Sequence, residues 1–244
     1  MRRLFIFLGV FLMISGSLAY AGLQPTARVD NNAGTEGLPS YSGPKARIAI
    51  ADFDVKAARA TFEIGSGLRE MLITALMNSS RFSVLERQAL GAVMQEQQLA
   101  ASGAAQAGGG AQRGQIKVAD LIISAAVTEF EPEAKGGAAG IGGGGGIVGG
   151  VLGGIIGGSM NKSHMALDLR IIDTSTSEIL ASTRVQGEAT DVAGGIMMGF
   201  MGSWGLGAGL SAYANTPMEK AIRVCIIEAV KYIAQTAPPQ YFKY

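Results

Sequence analysis

Two long glycine-rich segments without a charged side chain constrain this chain more than any other feature. They span 136–160 and 192–214, and each lies between two stretches that have the pattern of regular structure. Loops of more than about 12–15 residues are uncommon inside a compact domain, and uncharged apolar stretches of this length are poorly suited to water. The sequence therefore predicts that both segments contact a membrane or another subunit.

The residue spacing in these segments leaves their structure open. In the first, glycines recur every four residues with apolar pairs between them, which on a helix would form a close-packing face. The glycines of this repeat are Gly146, Gly150, Gly154 and Gly158. As β-hairpins, each segment with its flanking strands would instead supply two arms of about ten residues, enough to cross an outer membrane at a tilt. A disordered glycine loop is the third alternative. The second segment also carries Phe200 and Trp204, aromatic residues typical of membrane interfaces.

The first 21 residues have the features of a cleavable secretory signal peptide. Arg2 and Arg3 supply the positive end, and the apolar run over 4–14 is about half the length of a membrane-spanning helix. Small residues precede a cleavage point after Ala21, and an uncleaved anchor is the alternative. Gly22 follows, where a bacterial lipoprotein would carry its acylated cysteine. We therefore expect export to the periplasm or outer membrane of a Gram-negative bacterium, without a lipid anchor.

Composition argues against several classes of function. The chain has 20 Lys and Arg against 19 Asp and Glu, interspersed, so we expect no nucleic-acid partner. The lone Cys225 excludes an intrachain disulfide and a cysteine-rich metal site, and it fits a small buried apolar residue of the last helix. His164, the one histidine, begins a predicted strand and is interpreted as a solvated edge residue. Asp52 and Asp54 are more typical of a turn than of a cation site. We expect no enzyme, no cofactor and no metal.

The residues between 46 and 237 predict one α/β sandwich with a mostly covered sheet. Apolar residues follow helical spacing in three places and alternate with polar residues in the later strands. The last helix has a capping box, with Thr216 as N-cap, Pro217 at the first position and Glu219 three residues after the cap. The predicted elements are strands at 46–53, 82–85, 121–130, 165–171 and 179–190 and helices at 64–78, 86–98 and 217–235. Composition predicts a disordered tail over 22–45 and a short tail over 238–244.

Several motifs resemble one known family in order along the chain. The sequence Leu-Ile-Thr-Ala-Leu at 72–76, then Arg-Phe at 81–82 and Leu-Glu-Arg-Gln at 85–88, is similar to a helix-and-strand signature of the CsgG/HfaB family, which includes the curli secretion channel. The stretches at 126–137, 167–180 and 217–233 also resemble that family. The similarity runs from about 47 to 233.

This resemblance implies a periplasmic α/β domain that forms a ring of identical protomers. Each protomer would give two β-hairpins, at about 128–168 and 183–214, to one oligomeric outer-membrane β-barrel. The implied function is a secretion channel, or an assembly and transport factor, for unfolded subunits of a curli-like fibre or adhesin, with periplasmic accessory proteins as further partners. The alternative is a periplasmic module of the same fold that docks on an envelope complex without forming a pore. In the family's channels, a loop after the first strand narrows the pore, and Phe62 is the only aromatic residue in that loop here.

Overall fold

The computed structural model describes residues 31–104, 111–135, 161–191, 209–214 and 216–244. Within them, a mixed α/β fold has six strands and three helices, which confirms the predicted fold class at that level. The strands are β1 (Ala46–Ile50), β2 (Asp54–Val55), β3 (Phe82–Val84), β4 (Leu121–Lys135), β5 (Asn161–Asp173) and β6 (Ile179–Asp191). The helices are α1 (Phe62–Asn78), α2 (Leu90–Ala101) and α3 (Pro217–Thr236). Among these described helices, none combines the length and apolar character needed to cross a membrane.

One mixed sheet organises the domain, with strand order β3-β1-β4-β5-β6 and β2 paired to β4 beyond the end of β1. β1 runs parallel to β3 and β4, whereas β4, β5 and β6 are antiparallel. Parallel neighbours require crossover connections, and α1 and α2 lie in them. The turn between β5 and β6 is held by Asp173, whose Oδ1 accepts the N–H of Ser175 at 2.6 Å and of Thr176 at 3.2 Å. The sequence of short polar residues predicted this turn.

The hydrophobic core lies between one face of the sheet and the helices α1 and α3. Alternate residues of β4 and β5 are fully buried on that face, as the period of two predicts. They include Leu121, Ile123, Val127, Leu167, Leu169 and Ile171. In α3, Thr216 accepts the N–H of Glu219 at 3.4 Å, so the predicted cap is present. Cys225 is buried in the core, as predicted, and this burial raises the pKa of its thiol to about 12.

Residues 31–45 and the C-terminus lie together at the β1–β3 edge of the sheet. Ala33 is buried, and its carbonyl accepts a hydrogen bond from Asn78 Nδ2 at 3.1 Å. Phe242 forms a bridge with Ala46 and packs against the ring of Phe82, with 5.7 Å between the ring centroids. Composition predicts disorder over 22–45 because few side chains there are apolar. The described part, 31–45, instead makes specific contacts, since the sheet edge provides the partners that the segment lacks by itself.

Candidate functional site

β4, β5 and β6 extend past the other strands as a three-stranded antiparallel sheet. They contain 15, 13 and 13 residues, whereas a typical strand has about 5–6. The last pairing of β2 with β4 is at Val127, yet β4 and β5 pair as far as Lys135 with Asn161, and β5 and β6 as far as Asn161 with Asp191. The ends of these strands join the two glycine-rich segments directly, so both segments leave the domain from the same end of the sheet.

Two irregularities bend β4 within this extension. The register with β5 shifts between Val127 and Glu129 and again between Glu131 and Ala134. At the second shift, Ser163 Oγ of β5 donates to the carbonyl of Pro132 at 2.6 Å. Proline cannot donate to a neighbouring strand and is tolerated at bulges, where the strand bends and its twist increases. The bulges therefore set the direction in which the extension leaves the domain.

A network of charged side chains crosses all three strands of the extension. Arg184 of β6 donates from Nε to Asp168 Oδ1 at 2.8 Å and from Nη1 to Glu129 Oε1 at 3.0 Å. The hydrogen bond with Asp168 raises the pKa of Arg184. His164 of β5 is hydrogen-bonded through Nε2 to Glu129, and its Nδ1 lies 3.5 Å from Glu188 Oε1. Three of these pairs link neighbouring strands, and Arg184 of β6 reaches across β5 to Glu129 of β4. The network therefore favours one register of the three strands.

The interpretation of His164 as a solvated edge residue is wrong. β5 is flanked by β4 and β6, and the imidazole side chain is only 22% exposed. The alternating pattern of β5 could not reveal this position, because the pattern does not identify the neighbouring strands. None of the four charged partners in this network was singled out from the sequence, and no local motif identifies them.

α3 packs tightly against the sheet at Gly187 of β6. A Cβ atom at this position would lie 2.0 Å from the carbonyl oxygen of Ala221 and 2.9 Å from Cβ of Cys225. Real Cβ atoms do not approach other atoms this closely, so any side chain at 187 would displace the helix. Gly187 therefore allows α3 to cover the extension as well as the centre of the sheet.

The loop between β1 and α1 lies beside the base of the extension. The N–H groups of Lys56 and Ala57 donate to the carbonyl of Val127, at 2.9 and 3.0 Å. Arg59 Nη1 lies 2.9 Å from Glu131 Oε2 of β4. Phe62, the first residue of α1, is 70% exposed. The loop is thus anchored on β4 and presents Phe62 to the surroundings, and its role in a pore constriction stays a prediction.

The Leu-Glu-Arg-Gln motif at 85–88 forms hydrogen bonds with the start of α2 and with Asp52, just beyond β1. Glu86 Oε1 accepts the N–H of Ala89 at 3.1 Å, and this hydrogen bond is the main cause of the lowered pKa of Glu86. Gln88 Nε2 donates to Asp52 Oδ1, just beyond β1, at 3.0 Å. Because residues 85–88 form this loop, α2 begins at Leu90 instead of the predicted Glu86. The described residues contain no group of three side chains suited to a metal ion, near Asp52 or elsewhere.

Arg69 of α1 is almost fully buried next to this loop. Its Nε and Nη2 atoms both donate to the carbonyl of Ile50, at 3.3 Å, and its Nη1 lies 2.8 Å from Glu70 Oε1. The guanidinium of this α1 residue therefore supplies the hydrogen-bond donors for the carbonyl of Ile50, the last residue of β1. This contact joins α1 to the strand end from which the loop at 54–63 departs.

Several predicted residues lie outside the described part of the chain, and their roles stay predictions. They are Gly146, Gly150, Gly154, Gly158, Phe200, Trp204, Ala21 and Gly22. The predicted membrane segment at about 183–214 also includes residues that the structure places in the domain. Leu210 is fully buried, and the ring of Tyr213 packs against Phe130 with 5.3 Å between centroids. The domain therefore includes the end of that segment, from Gly209.

Comparison with known proteins gives a match over most of the chain. The model of the family described as curli production assembly/transport component CsgG matches residues 35–240. A predicted lipoprotein of Neisseria meningitidis serogroup B is 29% identical over 205 residues, covering 80% of this chain and 78% of that protein.

Two solved structures are among those to which the chain is similar. The hypothetical protein CT253 from Chlamydia trachomatis has a TM-score of 0.46 and 11% identity, covering 79% of this chain and 97% of that one. The PelC dodecamer from Paraburkholderia phytofirmans has a TM-score of 0.38 and 11% identity, covering 81% of this chain and 95% of that one.

Proposed function

The chain belongs to the CsgG family of curli production assembly/transport components, and from this membership we propose that it is an outer-membrane-associated secretion channel or assembly factor. Its cargo would be unfolded subunits of an extracellular fibre or adhesin, delivered with periplasmic accessory proteins. The predicted signal peptide supports export, and the match to a predicted lipoprotein is consistent with a position in the envelope.

One observation carries this proposal: three long strands extend together past the rest of the sheet, and their ends are joined to two charge-free segments. Backbone N–H and C=O groups must be paired in lipid, because each unpaired group there costs several kcal/mol. One protomer with two hairpins would leave open edges. Hairpins from several protomers would close into a barrel and remove those edges. Membrane insertion of these segments therefore requires an oligomer.

Phe62 provides a candidate constriction within such a ring. It is exposed at the first position of α1, directly after a loop that is hydrogen-bonded to the base of β4, where the extension begins. In a ring, the loops of all protomers would meet around the axis. Replacing Phe62 by Ala would then widen the narrowest section and raise single-channel conductance.

The central experiment uses the full-length protein extracted from membranes in detergent. We expect ring-shaped particles with a central hole in electron micrographs and discrete conductance steps in planar bilayers. The Phe62→Ala variant should give rings of the same size with larger steps. Protein that stays monomeric in detergent and gives no conductance would refute the channel and the ring together.

A second candidate is the periplasmic module without a pore. Among the described residues, the core takes Leu210 from the second glycine-rich segment, and the sheet, α1 and α3 supply nearly all the rest. Replacing 193–207 by a short Gly-Ser linker tests this candidate while leaving Leu210 in place. If the variant remains in the membrane fraction like the wild type, the module is supported over the channel. Deletion of 105–110, another uncharged glycine-rich stretch, is the matched control.

A further inference from the structure

The first turn of α1, which carries Phe62, packs closely against the strand that precedes it. A Cβ atom at Gly65 would lie 2.8 Å from Cγ2 of Val55 in β2 and 3.3 Å from the carbonyl oxygen of Phe53. A side chain at 65 would therefore have to displace Val55. The N–H of Gly65 also donates to the carbonyl of Thr61, the N-cap of α1, at 3.2 Å. Gly65 thus brings this turn against β2.

Gly209 makes a second close contact with the same turn. A Cβ atom at 209 would lie 2.7 Å from the carbonyl carbon of Glu63, 2.7 Å from its Cβ and 2.8 Å from its carbonyl oxygen. The φ angle of Gly209 is +77°, in the left-handed region that residues with a side chain rarely adopt. Both the backbone conformation and the approach to Glu63 therefore favour glycine at 209.

The residues that follow Gly209 hold it on the domain. Leu210 is fully buried in the core, and a 3₁₀ turn at Ser211–Tyr213 comes next. The ring of Tyr213 packs edge-to-face against the buried ring of Phe130 in β4. A contact of this kind contributes about 0.5–1.5 kcal/mol beyond the burial of its area. The position of Gly209 is therefore fixed relative to β4.

β4 also holds the loop that precedes Phe62. The carbonyl of Val127 accepts two N–H groups of this loop, and Glu131 pairs with Arg59 at 2.9 Å. The side chain of Phe62 is largely exposed, so its own contacts restrain it only weakly. Its position therefore depends on the loop before it and on the helical turn that Gly209 contacts.

We propose that Gly209 is a positioning residue for Phe62. By packing on Glu63, it holds the first turn of α1 in place and so fixes the constriction that Phe62 forms in the ring. The inference rests on the proposed function, to which it adds a second residue that controls the width of the pore. It depends on the described contact at 209 and on no particular structure of the segment before it.

Gly209→Ala in the full-length protein tests this contact. The new Cβ can reach ordinary van der Waals distance only if the turn moves by about 1 Å. A less firmly held Phe62 leaves the narrowest section wider on average, so we expect rings of wild-type size with larger and more variable conductance steps. Gly114→Ala is the matched control, because Gly114 has a φ of +79° and its Cβ would meet nothing within 4 Å. Its steps should equal those of the wild type.

The same substitution in the Phe62→Ala background shows whether Gly209 acts through Phe62. We expect the double variant to have the step size of Phe62→Ala alone, because no aromatic ring is left to be positioned. An equal increase in both backgrounds would mean that Gly209 affects the pore by another route, and it would overturn the proposal.

Amide hydrogen exchange provides a readout that needs no pore. The N–H groups at 65–68 should exchange several-fold faster in Gly209→Ala than in the wild type or Gly114→Ala, because the start of α1 opens more often. Unchanged exchange would overturn the contact with Glu63. If Gly209→Ala fails to assemble, Tyr213→Leu loosens the same segment from Phe130 without backbone strain. Its steps should also be larger than those of the wild type, and only while Phe62 is present.

The two proposals fail in different ways. Wild-type conductance with unchanged steps in Gly209→Ala, or in Tyr213→Leu if that variant is needed, would overturn the role of Gly209 and leave the proposed channel intact. Absence of conductance from the wild type and every variant would refute the channel and, with it, the constriction that Gly209 is proposed to fix.

Discussion

Gly187→Ala tests the tight contact between α3 and β6. The added Cβ would lie 2.0 Å from the carbonyl oxygen of Ala221, a backbone atom of α3 that cannot rotate away. The helix or β6 must therefore shift by about 1 Å or more, which disturbs the buried contacts of Cys225 and Val185. Overpacking of this kind costs about 1–3 kcal/mol, and the contact with backbone places this variant at the upper end.

The expected result is a clear loss of thermal stability. Replacing Gly by Ala also stiffens the unfolded chain, which offsets about 0.4–1 kcal/mol. A net loss of about 2 kcal/mol would lower the Tm by about 4–8 °C for a domain of this size. Circular dichroism at 222 nm during heating, in the same detergent as the wild type, measures this shift.

Gly91→Ala is the matched control. The same methyl group would meet nothing within 4 Å in α2, where Ala is favoured over Gly by about 1 kcal/mol. Its Tm should equal that of the wild type or exceed it by up to about 2–4 °C. A Gly187→Ala protein that melts within about 1–2 °C of the wild type would show that α3 does not pack on β6 as described.

Three further outcomes follow from buried or hydrogen-bonded groups. Arg69→Met removes both N–H donors to the carbonyl of Ile50 and should lower the free energy of unfolding, measured in urea, by about 1–3 kcal/mol. Arg69→Lys should give an intermediate value. Equal stability of all three proteins would contradict this role of Arg69. The Tyr241 hydroxyl is the main cause of the lowered pKa of Asp173. The carboxylate therefore stabilises the fold above its usual pKa of about 4, and this stabilisation is lost as the pH falls below that value. The difference in free energy of unfolding between the wild type and Asp173→Asn should shrink as the pH falls from about 5 to the acid limit of folding. A constant difference would refute the lowered pKa of Asp173. Burial raises the pKa of Cys225 to about 12, so an aromatic disulfide reagent at about pH 8 should label it only as fast as the protein unfolds; rapid labelling of the native protein would show that the core is open there.

Local sequence patterns predicted the elements whose signals lie within one turn or one strand. The cap of α3 was predictable because Thr216 and Pro217 act on the N–H groups that immediately follow them. The burial of Leu167 and Leu169 was predictable because alternate side chains of a strand share a face. The β5–β6 turn followed from the short oxygen-bearing side chains at 173–177 for the same local reason.

The boundaries that depend on distant contacts differed from expectation. Composition predicted disorder at 31–45, but the sheet edge and Phe242 hold that segment in place. β4 continues to Lys135, past the predicted 130, because β5 supplies its hydrogen bonds there. The exposure of α2 was also not predictable, since apolar spacing indicates a helix with an apolar side but does not say what covers that side.

The sequence by itself determined the family, the alternating α/β elements, the signal peptide and the two charge-free segments as expectations, because each of these depends on neighbouring residues or on composition. Only the tertiary structure decided which strands are neighbours. That choice placed His164 between two carboxylates, brought Arg184 to Asp168 and Glu129, and left the residues of α2 without burial. Pairing between strands far apart in the chain depends on register and packing over the whole sheet, and a local pattern of apolar residues carries no record of its partner.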